Sequence, residues 1–229
     1  MATSVCALKK REAVVESGYT DTVMTGAGNG VNVNYPQSVV RVGTDVRNLE
    51  VQAVPPSYER STSGAPTDGV SDAGFGLKYE IGYTSKASYG VNFLATVPTG
   101  SSTFTSGAPT YTGNVNLTYT LNSEFGLAST ISFQSLATRE GAGTVARVGA
   151  FVPTLVLTAA VPGNSQLFAE IASFSHAAVG QPSRVLYDGG FQKQISTHVL
   201  IDLEAGLAPA PVNGQRQHYI GFGISVGNL

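Results

Sequence analysis

A period of two, held without a break over twelve residues, constrains this chain more than any other feature. From Asp72 to Tyr83, Ala73, Phe75, Leu77, Tyr79, Ile81 and Tyr83 alternate with Asp72, Gly74, Gly76, Lys78, Glu80 and Gly82. Four turn-like residues follow, Thr84 to Ala87. The period then resumes, with Ala87, Tyr89, Val91, Phe93, Ala95 and Val97 against Ser88, Gly90, Asn92, Leu94 and Thr96. Such a period belongs to strands. It predicts a long hairpin with one apolar face and one small, polar and charged face. Two architectures produce that alternation. A soluble sheet buries the apolar face, whereas a transmembrane barrel turns it to lipid and keeps the polar face inside. Length separates them: soluble strands run to about five or six residues, and spanning strands need about nine to eleven. This hairpin has strands of the longer kind, and its glycine-rich polar face suits a concave wall.

The same pattern recurs along the chain. Strands are expected near 12–22, 37–44, 46–55, 71–83, 87–97, 110–121, 125–135, 145–160, 165–175, 184–195, 198–207 and 217–227. Strands 145–160 and 165–175 alternate less cleanly. Short connections at Thr44–Asp45, Thr84–Lys86, Asn122–Glu124, Pro162–Asn164 and Ser196–Thr197 alternate with long ones at 23–36, 56–70, 98–109, 136–144, 176–183 and 208–216. Short turns at one end and long loops at the other are the habit of outer-membrane barrels. A soluble sandwich gives no reason for it. The fold class expected is all-β: a closed antiparallel up-and-down transmembrane β-barrel of about 12 strands. It forms one domain over 12–229, and 1–11 is an N-terminal extension, poorly ordered or residual from an export region.

Composition agrees with this and closes other routes. Charged residues are 12% of the 229, about half the share of a soluble domain. The net charge of −2 gives no basic patch for nucleic acid. Cys6 is the single cysteine, so no internal disulfide forms. No run of eighteen apolar residues exists to make a spanning helix. Met1–Val14 lacks the apolar run of an export signal. The expectation is that the signal has been cut away or the start truncated.

Projecting the alternation onto a barrel sorts the side chains. Lipid-facing positions are Phe75, Leu77, Tyr79, Ile81, Val91, Phe93, Leu117, Ile201, Leu203, Phe222 and Ile224. Lumen-lining positions are Glu16, Arg41, Glu50, Asp72, Lys78, Glu80, Arg147, Glu170, Asp188, Asp202 and Glu204, eight acidic against three basic. A Lys or Arg facing lipid at midplane costs about 2–4 kcal/mol, so the inward assignment is the economical one. Arg41 and Glu50 sit on neighbouring strands across one short turn and are placed to pair. Outward aromatics gather at strand ends: Tyr83, Tyr89, Tyr119 and Phe125 near short turns, Tyr111 and Tyr187 near long loops. Tyr favours the membrane interface.

Several segments resemble the outer-membrane family named for the MetA-pathway of phenol degradation. They are PQSVVRVG (36–43), LEV (49–51), GFGLKY (74–79), VPTG (97–100), FAEI (168–171), DGGFQ (188–192), IDLEAGL (201–207) and YIGFGIS (219–225). Their order runs through nearly the whole chain beyond residue 12. The resemblance implies an outer-membrane barrel that passes small, aromatic compounds. The chain departs from the pattern in its last residue, Leu229, where such barrels often end in an aromatic, and in the absent export signal.

The function expected is a channel for passive uptake or efflux of small molecules in a bacterial outer membrane. Its partners are the lipid bilayer and small solutes, with no cofactor, metal or nucleic acid. A structural or adhesive barrel with a plugged lumen is the alternative, and a barrel hydrolase the third. For a hydrolase, His198 and Asp202 share a face, and Ser225 or Ser196 would be the nucleophile, but no GxSxG elbow exists. His176, His198 and His218 lack metal-ligand spacing. The glycine run Gly26–Gly30 is followed by neither Lys-Ser/Thr nor a helix, so it reads as a loop turn. Asn116-Leu117-Thr118 matches a glycosylation pattern but lies mid-strand.

Overall fold

The computed structural model describes residues 5–26, 29–140, 144–212 and 215–227. Met1–Ser4, part of the Gly26–Gly30 run, and Leu229 lie outside the described residues. The chain forms β1 (Ala13–Gly26), β2 (Gly30–Tyr35), β3 (Val39–Gly43), β4 (Leu49–Val54), β5 (Tyr58–Ser61), β6 (Thr67–Val70), β7 (Ala73–Tyr83) and β8 (Ala87–Val97). It continues through β9 (Thr110–Thr120), β10 (Phe125–Arg139), β11 (Val145–Val161), β12 (Ser165–Phe174), β13 (Arg184–Ser196), β14 (Val199–Val212) and β15 (Gln215–Gly227). No helix is present among the described residues.

All fifteen segments belong to one antiparallel sheet, and β1 pairs with β15 to close it. The closing ladder runs from Val14 opposite Gly227 to Gly26 opposite Gln215. Three wall strands are each split in two. β2 and β3 both pair with β1, β5 and β4 pair with β2 and β3, and β6 and β7 follow on those. Counting each split pair once leaves a closed barrel of twelve strands, as the alternation predicts. The splits have local causes. Pro36 and Pro55-Pro56 have no amide hydrogen to give a ladder. Gln37 N–H donates to the Gly18 carbonyl at 2.8 Å and rejoins the wall below the first break.

These splits correct the boundaries read from sequence. Connections 23–36 and 56–70 carry β2, β5 and β6 rather than loop alone. Their Asn, Gly and Ser content reads as turn chemistry, yet Val31, Val33 and Tyr35 alternate with Asn32 and Asn34 and find partners across β1 and β5. β11 runs straight through Pro153 for the same class of reason. Its ladder to β12 begins only at Thr154 opposite Ala172. Above that point Phe151 N–H donates to Ser175 Oγ at 2.8 Å, and Ser175 N–H donates to the Phe151 carbonyl at 3.0 Å.

The two faces separate cleanly. Phe75 is 60% exposed, while its neighbours Gly74 and Gly76 are buried. Leu77, Tyr79, Ile81, Val91, Phe93, Leu117, Leu203 and Phe222 are exposed, and Ile201 and Ile224 are half-exposed on the same outward parity. Tyr83, Tyr89, Tyr111, Tyr119, Phe125 and Tyr187 are also exposed. The buried set includes Glu50, Lys78, Asn116 and Glu170. This is an inside-out arrangement, with apolar side chains on the exterior.

An outward apolar residue at mid-strand is therefore the place to test the assignment. Leu77→Arg is expected to cost about 2–4 kcal/mol, read from urea-dependent folding into lipid vesicles. Lys introduced at exposed Thr84, in a turn, is expected to change the midpoint little.

Candidate functional site in the barrel lumen

The inner wall is built from residues of one parity on each strand. β3 and β4 meet at a tight turn in which Thr44 N–H donates to the Leu49 carbonyl at 3.1 Å. That turn brings Arg41 beside Glu50. Arg41 Nε donates to Glu50 Oε1 at 2.7 Å and its second terminal nitrogen to Oε2 at 2.9 Å. Its first terminal nitrogen donates to Glu16 Oε1 at 2.7 Å, tying β1 to the pair. Gln52 Nε2 adds a third donor to the Glu50 carboxylate at 2.9 Å. Glu50 is 0% exposed, and this geometry is what allows it, because a buried ion pair needs its remaining lone pairs satisfied.

A polar belt continues round the wall from there. Lys78 is the cross-strand partner of both Glu50 and Asn92. Asn116 Nδ2 donates to Asn92 Oδ1 at 2.9 Å, and Thr130 Oγ1 donates to Asn116 Oδ1 at 3.0 Å. Lys78 is 1% exposed, yet its Nζ has no hydrogen-bond partner. Its charge is balanced at longer range by Glu50 and Glu16.

The N-terminal segment packs against this wall, in the short-turn half of the lumen. Leu8 N–H donates to Glu50 Oε2 at 3.0 Å, and Ala7 N–H to Glu80 Oε2 at 3.2 Å. Val5 is 1% exposed. A Cβ at Gly43 would fall 1.8 Å from the Lys9 carbonyl oxygen, so glycine there lets the segment lie against the wall. Residues 1–11 read from sequence as a poorly ordered or residual extension. Within them, Ala7 and Leu8 find remote carboxylates for their peptide N–H groups, which no local pattern announces.

The opposite wall is acidic. Glu170 on β12 lies opposite Asp188 on β13, and Asp202 and Glu204 follow on β14. Glycines make room for them: a Cβ at Gly223 would meet Asp202 Oδ2 at 2.4 Å. Between the two walls lies a cavity of about 490 Å³, bordered by Glu16, Arg41, Asn92, Asn114, Asp202 and Glu204. Apolar side chains share the interior. Ala150, Val152 and Val156 of β11 and Ala172 of β12 are buried, which is why those two strands alternate less cleanly.

One expected lumen residue lies on the outside, and another is tied into a connection. Arg147 has the parity of Phe151 and Leu155 on β11 and is exposed on the outward face, where its guanidinium reaches Ser135 Oγ at 3.4 Å. The buried apolar residues on the inner face of β11 blur the alternation there and hide this. Asp72 precedes β7 and anchors connection 98–109. Its carboxylate accepts from Gly100 N–H at 2.9 Å, Ser106 N–H at 2.9 Å and Ser106 Oγ at 2.5 Å. Burial pushes the Asp72 carboxyl up, but these bonds outweigh it and hold it below the usual carboxylate range. Two inward charges went unread. Glu59 lies opposite Asn34 on the parity of Thr20 and accepts from Asn34 Nδ2 at 3.3 Å. Arg184, on the parity of Asp188, donates to Gln217 Oε1 and sits 5.5 Å from the Phe174 ring centre. It borders a second hollow of about 420 Å³ at the long-loop end, with Thr22 and Asn32. Among the described strand residues the lumen thus holds Glu16, Glu50, Glu59, Glu80, Glu170, Asp188, Asp202 and Glu204 against Arg41, Lys78 and Arg184.

The hydrolase arrangement does not assemble. His198 is exposed in the β13–β14 turn, and its Nδ1 lies 3.0 Å from the Gly227 carbonyl oxygen, not from Asp202. Ser196 is exposed in the same turn. Among the described residues, no group of three or more His, Cys, Asp or Glu side chains is placed to hold a metal.

Solved structures share this fold. An outer-membrane channel from Pseudomonas putida F1 aligns over 99% of this chain and 99% of its own, at a TM-score of 0.75 and 10% identity. The NanC porin aligns over 92% and 98%, at 0.58 and 12%. The translocator domain of the autotransporter NalP from Neisseria meningitidis aligns over 94% and 88%, at 0.55 and 12%. At these identities the likeness is one of fold. No family model and no curated protein matches the chain.

Removing the buried charge of Glu50 and that of Lys78 should have opposite effects. Glu50→Gln strands Arg41 beside one remaining carboxylate and is expected to cost on the order of 3 kcal/mol. Lys78→Met removes an unpartnered ammonium and is expected to be neutral or stabilising. Urea midpoints in vesicles read both. The Asp72 contacts should be pH-dependent. A depressed carboxyl stabilises the folded loop above its unfolded titration, and that contribution is lost as pH falls through the folded value. Exchange protection at Gly100 and Ser106 is expected to hold from pH 7 to about 4 and to fall below it. In Asp72→Asn it is expected to be low throughout.

Proposed function

We propose that this protein is an outer-membrane channel for passive passage of small solutes, with a lumen that favours cations and neutral molecules over anions. The observation that carries the reading is the acidic wall in which Asp202 and Glu204 border the central cavity, with Glu170 and Asp188 on the adjoining strands β12 and β13. Rings of acidic side chains select cations in pores, and Arg41, one of the three inward basic residues, is tied up in its bonds to Glu16 and Glu50. Aromatic solutes of phenol type are the proposed cargo. The resemblance to the phenol-degradation family motivates this, and the buried strip of Val152, Val156 and Ala172 beside the polar belt gives an aromatic ring an apolar wall to slide along.

A plugged, structural barrel is the second reading, and one observation favours it. Val5 to Leu8 occupy the short-turn half of the lumen and bond to Glu50 and Glu80. In the channel reading this segment is a constriction that limits the size of what passes.

Planar-bilayer recording separates these. Under a salt gradient the reversal potential is expected to show cation preference, reduced in the Glu204→Gln, Asp202→Asn double variant; anion preference sinks the channel reading as stated. Removing residues 1–11, or replacing Gly43 by Val to push Lys9 off the wall, is expected to raise single-channel conductance. Conductance absent both before and after removal favours the plugged barrel.

A further inference from the structure

Away from the lumen, the outward face carries a recess across β9, β10 and β11. Along one row of paired positions Phe93, Gly113, Phe133 and Phe151 follow each other over four strands. Phe133 and Phe151 touch, with ring centres 5.3 Å apart, and Phe93 stacks on Tyr111 at 6.1 Å. Gly113 leaves a gap between the two ring pairs. In the next row toward the long loops come Ser135 and Gly149. A Cβ at Gly113 or Gly149 would meet nothing within 4 Å. The product is an open groove of about 550 Å³ with a small-residue floor and aromatic walls.

Two cations stand at its long-loop end. Arg147 is two residues beyond Gly149 on the same face of β11. Arg139 is two residues beyond Ala137, the cross-strand partner of Arg147. Both are exposed. They are the only charges on the outward parity of β8 to β12, which holds no Asp or Glu. Among the described residues no carboxylate lies within ion-pair distance of either. Arginine on a lipid-facing surface is tolerated near the interface, at about 0–1 kcal/mol, and its planar fork matches phosphate in bidentate fashion.

We infer that this groove holds a phosphorylated acyl glycolipid of the lipid A class. An acyl chain lies over Gly113 and Gly149 between the rings, and a phosphate sits against Arg147 and Arg139. Long loops face outward in outer-membrane barrels, so the outer leaflet supplies the lipid. The inference rests on that placement and not on what the lumen passes.

Native mass spectrometry of the detergent-purified protein tests it, with bisphosphorylated lipid A, dephosphorylated lipid A, phosphatidylglycerol and inorganic phosphate as separate probes. A one-to-one adduct with bisphosphorylated lipid A is expected. Its affinity is expected to fall about tenfold or more in the Arg139→Gln, Arg147→Gln double variant, the loss of a charge-assisted hydrogen bond, and comparably in Gly149→Leu, which fills the groove. Arg216→Gln, an exposed cation on β15, is expected to bind as the parent does, and heat-modifiable gel mobility verifies that each variant is folded. Equal binding by the parent and both groove variants overturns the inference. So does equal binding of dephosphorylated lipid A, of phosphatidylglycerol or of inorganic phosphate alone. Lumen conductance unchanged in the double arginine variant separates this outcome from any failure of the channel reading.

Discussion

In hydrocarbon there is no water to satisfy a peptide group, and each one left unpaired costs several kcal/mol. A sheet can cross a bilayer only if it has no edge. The thirteen-residue ladder between β1 and β15 supplies that closure here, and the rest of the molecule follows from it. A closed wall gives every strand one face to lipid and one to the axis. The apolar residues take the outside, and the mid-strand charges are left with the lumen as their solvent.

The lumen is too narrow to hydrate all of them, and the two walls solve this differently. On one side Arg41 bridges Glu16 and Glu50, Gln52 and the Leu8 peptide complete the Glu50 shell, and the buried Asn92–Asn116–Thr130 chain extends the network. On the other, Glu170, Asp188, Asp202 and Glu204 have no arginine among them, and glycines such as Gly223 open space beside their carboxylates. The first wall is where the amino-terminal segment docks. Asp202 and Glu204 of the second border the open cavity, across from Glu16 and Arg41. The two halves of the circumference therefore handle their inward charges differently, one by a closed hydrogen-bond network and one by space beside the carboxylates.

Much of this was legible in the residues. The β7–β8 hairpin was readable because both of its faces are pure, and the Arg41–Glu50 pair because a short turn fixes which strands adjoin. Other parts depended on information that is not local. β2, β5 and β6 have the composition of loops and are strands only because β1 and one another offer partners. Arg147 was misfaced because Ala150, Val152 and Val156 make the inner side of β11 as apolar as the outer. Arg184 was within reach, since it shares the parity of Asp188 four residues on. The place of Val5 to Leu8 was not, because carboxylates more than forty residues away fix it.

Depth and polarity around adjacent residues of one strand test the inside-out arrangement most directly. Spin labels placed singly at positions 114 to 117 of β9, in a Cys6→Ser background reconstituted in lipid vesicles, report access to oxygen and to a water-soluble nickel chelate. The account predicts alternation: labels at Val115 and Leu117 relaxed by oxygen and hidden from nickel, those at Asn114 and Asn116 shielded from lipid-dissolved oxygen. Labels at Asn114 and Asn116 that meet oxygen while those at Val115 and Leu117 do not would contradict it.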